Sequence, residues 1–407
     1  EDVLTGEDQR KASNYKRLLA NLVASHEAQS VNGEYVVNQV QKFVRAQNIK
    51  SALVSAVEAV DDGRVDDAAV AMQKGLAVQE ISFSSGTRLN DPKQAIRFKE
   101  KTDSAPYPTG IEALDRFGVG PARKTLFLLM APLNRGKSWW LMNLGKWALI
   151  NRLSVLHVTL EMSEEECAGR YLQCFYSWTK EQVEARRPQF VMGRGEESGR
   201  IMRVEFERLQ RPSLDDPGAV DMIKEKVAAD LSRRPPLIIK EFPTGQLTVG
   251  MFEAYLDNLE RFENVVPDLI LIDYADLFAL DPKNLRAELG ELVKRLRGIA
   301  VARNTAVVTA TQTNREGLKA KLIDESNLSE DVSKGFTADK TCTYNQTDAE
   351  FQMQLARIYV SKNRQGRARM TALIAQSYDI GQFCLDSVPL QQNYWQMLRG
   401  DEKDEDD

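Results

Sequence analysis

From residue 125 onward, short aliphatic runs alternate with longer stretches whose apolar residues recur at helical spacing. The runs are Thr125-Leu-Phe-Leu-Leu-Met130, Val155-Leu-His-Val-Thr-Leu160, Leu237-Ile-Ile239, Leu269-Ile-Leu-Ile272 and Ala306-Val-Val-Thr-Ala310. Runs without polar alternation predict strands buried on both faces, and crossover helices between them predict an α/β domain with a mostly parallel sheet. Upstream, Leu18, Leu19, Leu22, Val23 and then Val36, Val37, Val40, Phe43, Val44 repeat with helical period and no strand signal. The expected organisation is a small all-α N-terminal domain over 1–80, a linker over 81–105, a large α/β domain over 106–398 and a tail over 399–407. The linker turns to Ser, Lys, Asp and Gly, with a short amphipathic helix expected at Pro92-Lys-Gln-Ala-Ile-Arg-Phe-Lys-Glu-Lys101.

Composition changes this picture little. With 407 residues, 43% hydrophobic and 28% charged, the chain is long enough for one large core or two unequal domains. No apolar run approaches the roughly 18 residues that span a bilayer, and no basic-then-apolar leader opens the sequence, so no membrane contact and a cytoplasmic location are expected. The four cysteines, Cys167, Cys174, Cys342 and Cys384, lack C-x-x-C spacing, and only His26 and His157 stand ready to join them, so reduced structural thiols are expected rather than a metal cluster. The net charge of −5 at first argues against a polyanion partner, but the final seven residues hold six acids and one lysine and supply all of it. That tail reads either as a solubilising segment or as a docking segment for a basic partner.

In a parallel sheet, ligands sit beyond the carboxyl ends of the strands. After the first run comes Ala131-Pro-Leu-Asn134-Arg135-Gly136-Lys137-Ser138, then Trp139 and a helical stretch. This strand-loop-helix reads either as a phosphate-binding loop with alanine in place of its usual first glycine or as a loop that merely turns the chain. On the first reading backbone N–H groups would hold the phosphates, Lys137 would reach the β and γ oxygens, and Ser138 would ligand magnesium. Asp273 ends the fourth run, where a carboxylate completes a Mg²⁺ site and is costly to bury without a partner. Glu161 follows the second run and reads either as the base that deprotonates the attacking water or as a helix-start acid favoured by the dipole. Gln312 follows the fifth run, either as a sensor of the γ-phosphate or as a simple strand-end amide. Ser361-Lys-Asn-Arg-Gln-Gly-Arg-Ala-Arg369 is a basic turn between two strands. The stretch from Arg186-Arg187 to Arg203 is basic too, either a contact surface or an exposed insertion.

Thr109-Gly-Ile-Glu-Ala-Leu-Asp115, the phosphate loop, Leu160-Glu-Met162, Leu271-Ile-Asp-Tyr274, Gln312 with Asn314-Arg315, and Lys362-Asn-Arg364 occur in that order. Over about 109–386 the chain resembles the DnaB family of replicative helicases, and Lys240-Glu-Phe-Pro-Thr-Gly-Gln-Leu-Thr248 looks more like its tailed-bacteriophage members. The resemblance implies a RecA-like fold and an ATP-dependent DNA helicase with ATP and Mg²⁺ as cofactors. It implies Lys137, Glu161 and Gln312 in catalysis, with Lys362 and Arg364 reaching the neighbouring subunit's γ-phosphate. It further implies nucleotide contacts from Ala131 and from Asn134 through Trp139, metal ligation by Ser138 and Asp273, and a channel loop near Ser333, Lys334 and Gly335 gripping single-stranded DNA, although Glu330 and Asp331 lie close by. Partners implied are single-stranded DNA, further copies in a hexamer, a primase, a loader, and a polymerase or single-strand-binding protein, with movement 5′ to 3′ in a bacterial host's cytoplasm. Two other readings stand beside it: a RecA-like recombination or filament-forming DNA-dependent ATPase, which the late K-x-R pair disfavours, and a DNA-binding scaffold with a relic nucleotide site, which intact Lys137, Glu161 and Asp273 disfavour.

Overall fold

The computed structural model describes residues 33–64, 67, 68, 71, 72, 89–92, 96, 105–132, 135–194, 199–313, 322, 323 and 337–399. The chain divides into two compact units, Glu1–Phe98 and Lys99–Asp407. In the first, α1 (Gly33–Asp61) buries Ala56 and Ala59 against Ala68, with Ala71 and Met72 beside them. The helix expected around residue 20, most of the linker helix and the acidic tail lie outside the described residues.

The second unit is built on a nine-stranded sheet. In chain order its elements are α2 (Glu112–Asp115), β1 (Leu126–Ala131), α3 (Lys137–Ile150), β2 (Val155–Thr159), α4 (Glu164–Tyr176), β3 (Ala185–Met192), β4 (Ile201–Leu209), α5 (Ala219–Ala229), β5 (Leu237–Glu241), α6 (Val249–Phe262), β6 (Leu269–Asp273), α7 (Leu285–Ala302), β7 (Ala306–Gln312), β8 (Lys340–Asn345), α8 (Asp348–Gln352), β9 (Leu355–Asn363), β10 (Met370–Ser377), β11 (Gln382–Pro389) and α9 (Tyr394–Arg399). The strand order is β11-β10-β9-β8-β1-β7-β6-β2-β5. The six strands from β8 to β5 run parallel, and β9, β10 and β11 extend them antiparallel. All five aliphatic runs are therefore neighbours in the parallel part.

The two faces of these strands fill two cores, as a period of two requires. Leu269 and Leu271 of β6 pack with Trp140, Leu141 and Leu144 of α3, while Ile270 and Ile272 pack with Phe252 of α6 and Leu292, Leu296 and Ile299 of α7. Helix starts follow the local sequence. Ser163 caps α4 by accepting from the Glu166 N–H at 3.1 Å, and Thr248 caps α6 by accepting from the Met251 N–H at 3.2 Å.

The Arg186 to Arg203 stretch forms a separate two-stranded hairpin, β3 against β4. Its basic character is offset locally, because Arg187 pairs with Glu207, Arg203 with Glu205, and Arg208 with Glu184. Ser377 Oγ donates to the Arg186 carbonyl at 2.8 Å, and Phe190 and Val204 pack beside Tyr394, tying the hairpin to the main sheet.

Candidate functional site

The loop after β1 enters α3 through Gly136, at φ 85°, a left-handed conformation that glycine adopts without strain. A Cβ there would also lie 2.1 Å from the Tyr378 hydroxyl, so position 136 has no room for a side chain. Among the described residues no side chain caps α3, and its first N–H groups keep the anion-binding character of a bare helix start. Trp139 stacks on Tyr378, with centroids 5.8 Å apart, and the Arg170 guanidinium sits 5.4 Å over the Trp139 ring. Arg135 reaches the other way, to Asp348 at 3.2 Å and Gln346 at 3.4 Å. Asn134 lies outside the described residues, and Ala131 is buried at the end of β1.

Four strand ends converge on this loop. Ala131 is in register with Gln312 across β1 and β7, and Thr159 with Asp273 across β2 and β6. Lys137 is buried, and its Nζ stands 5.4 Å over the Tyr274 ring. Burial lowers its pKa, against the opposing pull of Glu161, Asp273 and Asp276, which places these three carboxylates in electrostatic reach of one ammonium. Glu161 itself is exposed, one residue past Leu160 and two before the Ser163 cap. It thus stands outside the hydrogen-bonded start of α4, whose first turn carries its own acids, Glu164 to Glu166.

Asp273 is fully buried, and neither carboxylate oxygen has a hydrogen-bond partner of normal geometry among the described residues. Burial raises its pKa to about 6, with Glu161 adding to the rise and the Ser138 hydroxyl, Lys137 and Arg170 acting against it. A dry carboxylate with two orphaned oxygens facing a serine hydroxyl is the donor set of a hard cation that keeps most of its ligands from water and phosphate. The residues present therefore suit Mg²⁺. Among the described residues no cluster of three or more His, Cys, Asp or Glu suits a protein-caged metal, and all four cysteines are free and buried.

Gln312 is fixed at its strand end, where its Nε2 donates to the Tyr274 hydroxyl at 2.8 Å. Beside it Thr311 donates to Asp276 at 2.8 Å. Tyr274, Tyr378, Arg170 and Asp276 thus belong to the site, although the sequence alone assigned none of them a role. Tyr274 and Asp276 stand close to Asp273 in the chain, whereas Tyr378 is brought in by the fold alone.

Lys362 and Arg364 are not brought to this cluster. The end of β9 pairs Lys362 with Thr341, near the start of β8. The Arg364 N–H donates to the Asp339 carbonyl, and the Asp339 N–H to the Leu126 carbonyl at the start of β1. The phosphate loop leaves the far end of that strand, about 17 Å away at some 3.3 Å per residue. Within one chain the K-x-R pair and the phosphate loop therefore occupy opposite ends of the sheet. Ser333, Lys334 and Gly335 lie outside the described residues.

Comparison with known proteins gives a family and a fold. The family model of the DnaB-like helicase C-terminal domain matches residues 107–380. A DnaB-like replicative helicase of Enterobacteria phage T4 is 24% identical over 380 residues, covering 86% of this chain and 72% of that protein. The replicative DNA helicase DnaB of a Nostoc species is 26% identical over 238 residues, covering 58% of this chain and 23% of that one. Among solved structures, an ATPase domain superposes with a TM-score of 0.55 at 16% identity, covering 75% of this chain and 100% of that one. A DnaB-like replicative helicase, whose structure was described with its primase interactions, superposes with a TM-score of 0.59 at 18% identity, covering 87% and 78%.

Proposed function

The chain belongs to the DnaB-like helicase family through residues 107–380, and from that premise we propose how its own residues drive an ATP-hydrolysing replicative DNA helicase. The observation that carries the reading is the convergence of Lys137, Glu161, Asp273 and Gln312 at adjacent strand ends around one uncapped helix start.

The first N–H groups of α3 and the Lys137 ammonium bind the β and γ phosphates, with Arg135 and Trp139 flanking the loop. Ser138 and Asp273 hold Mg²⁺, which when bound neutralises charge on the phosphate oxygens. Glu161 orients a water against the γ-phosphorus and takes its proton as the new P–O bond forms and the bond to the leaving diphosphate oxygen breaks. Gln312 contacts the γ-phosphate and passes its loss to the segment that follows β7, where Lys334 and its neighbours grip single-stranded DNA. Lys362 and Arg364 serve the γ-phosphate of an adjoining subunit, since their own lies at the other end of the sheet. A head-to-tail interface of that kind closes into a ring, a hexamer here, that travels 5′ to 3′ on one strand. A primase, a loader, and a polymerase or single-strand-binding protein are proposed partners, the acidic tail being one docking segment, and the bacterial cytoplasm the proposed setting. No described helix is long and apolar enough to cross a membrane. The filament-forming alternative shares the sheet and loop, but family membership does not favour it.

Strand displacement on forked duplexes with a 5′ or a 3′ loading tail tests this. Displacement that needs ATP and the 5′ tail is the expected result. DNA-stimulated hydrolysis with no displacement from either fork would sink the helicase reading in favour of a filament ATPase.

A further inference from the structure

Asp339 is a buried carboxylate claimed by two arginines. Its side chain is only 7% exposed and immediately precedes the first residue of β8. Its Oδ2 accepts from the Leu126 N–H at 3.0 Å, anchoring it to the start of β1. Arg297 of α7 grips both oxygens, Nε at 3.0 Å from Oδ2 and Nη2 at 3.1 Å from Oδ1. Arg364 then adds Nη1 at 3.1 Å to the same Oδ1.

The two cations are not equivalent. Arg297 has a two-point grip and comes from the last half of an eighteen-residue helix packed on the sheet through Leu292, Leu296 and Ile299. Arg364 makes one side-chain bond to this carboxylate, immediately follows β9 with its backbone N–H on the Asp339 carbonyl, and has a side chain 46% exposed. Two guanidinium groups on one oxygen repel each other, so each weakens the other's hold. Removing Arg364 leaves the carboxylate still neutralised and hydrogen-bonded. Removing it with Arg297 absent leaves a buried charge with a single N–H donor, an arrangement that proteins avoid strongly.

We propose that Asp339 is the resting acceptor of the Arg364 finger and that Arg297 holds the Asp339 charge when Arg364 departs to serve the adjoining subunit. Both are positioning residues: neither meets the nucleotide, and both act through Arg364. The inference rests on the interface role of Arg364, and it assigns to this chain a finger with two seats, one at the end of its own sheet where β1 and β8 begin and one across the interface. The exposed Arg364 side chain is placed to move, whereas Arg297 is placed to stay.

The test is a kinetic cycle on the full chain assembled on single-stranded DNA, reading kcat and KM for ATP. Arg297→Ala is expected to lower kcat about tenfold with KM little changed, because the lost charge-assisted bonds matter only once the finger leaves. Arg297→Lys, which keeps the cation, should restore kcat to within about threefold of the parent. In an Asp339→Asn background, Arg297→Ala should lower kcat less than about twofold, since no charge remains to be held. An equal loss in both backgrounds, or parental kcat in Arg297→Ala, would overturn the proposal. If Asp339→Asn fails to assemble, the contrast between Arg297→Ala and Arg297→Lys decides alone, equal kcat in the two overturning it. Arg364→Ala in parallel separates the two layers. Parental turnover there removes the finger itself, whereas a collapse there with no effect of Arg297→Ala removes only the second seat.

Discussion

Gln312 donates from Nε2 to the Tyr274 hydroxyl at 2.8 Å, and Lys137 Nζ lies 5.4 Å over the same tyrosine ring. One side chain thus joins Lys137, the proposed phosphate ligand, to the strand-end amide proposed to signal toward DNA. Tyr274→Phe keeps the ring and removes the bond. The expected outcome is an unchanged KM for ATP and a loss of about fivefold in the DNA-stimulated rate, the size of one ordinary hydrogen bond. Equal stimulation by DNA in parent and variant would show that the amide needs no such tether.

Glu161→Gln keeps the size of the side chain just beyond β2 and removes the carboxylate proposed to accept the water's proton. Hydrolysis should fall by about 10²- to 10⁴-fold, with nucleotide affinity retained when read by fluorescence of a bound analogue. Near-normal turnover would return Glu161 to a helix-start acid.

The parallel part of the fold was legible because five of its six strands carry an aliphatic run, so β1, β2, β5, β6 and β7 announce themselves. The sixth parallel strand, β8, was less so. β8 carries Lys340, Thr341, Thr343 and Asn345, all buried, and polar residues at such density read as loop until the sheet pairs them. The same reason separates the site residues. Lys137, Glu161, Asp273 and Gln312 each follow a visible run, whereas Tyr378 and Asp339 lie far along the chain from the groups they touch, Gly136 and Leu126, and no local period marks them. The β3–β4 hairpin was seen as charge alone, and its acids, paired across and along the strands, appear only with the register.

Arg364 stands at the end of the sheet opposite Lys137, so its loss should be felt by a neighbouring subunit's nucleotide. Mixing Arg364→Ala subunits into parental assemblies, proposed to be rings, should depress turnover by more than their share of the mixture. A strictly proportional decline would place the arginine's action within its own subunit.

Arg357 and Glu350 form a buried ion pair, 3% and 0% exposed, which Tyr394 joins by donating to Glu350 at 2.6 Å. Arg357 also lies 4.8 Å over the Trp395 ring, so the pair fastens α9 to β9 and α8. Arg357→Met leaves Glu350 buried without its cation and should cost about 3 to 5 kcal/mol, read as a lower urea midpoint. Adding Glu350→Gln should recover part of the loss. A double variant no better than the single would mean that packing, not charge, holds this corner.

His157 makes a prediction about acid. Its ring is fully buried in β2, Nδ1 meets the Tyr171 hydroxyl at 2.8 Å, and Nε2 has no partner among the described residues. Burial lowers its pKa to about 3, against 6.5 in the unfolded chain. Between those values the unfolded chain binds a proton that the folded one refuses, so falling pH favours unfolding. This one residue should add about 1.4 kcal/mol of lost stability per pH unit below 6.5. The paired carboxylates elsewhere also lose stability in acid, so the comparison is between the parent and His157→Gln, each unfolded in urea at pH 6.5, 5.5 and 4.5. The parent should lose stability more steeply than the variant across that range, and parallel slopes would mean that the folded protein takes up the proton at His157.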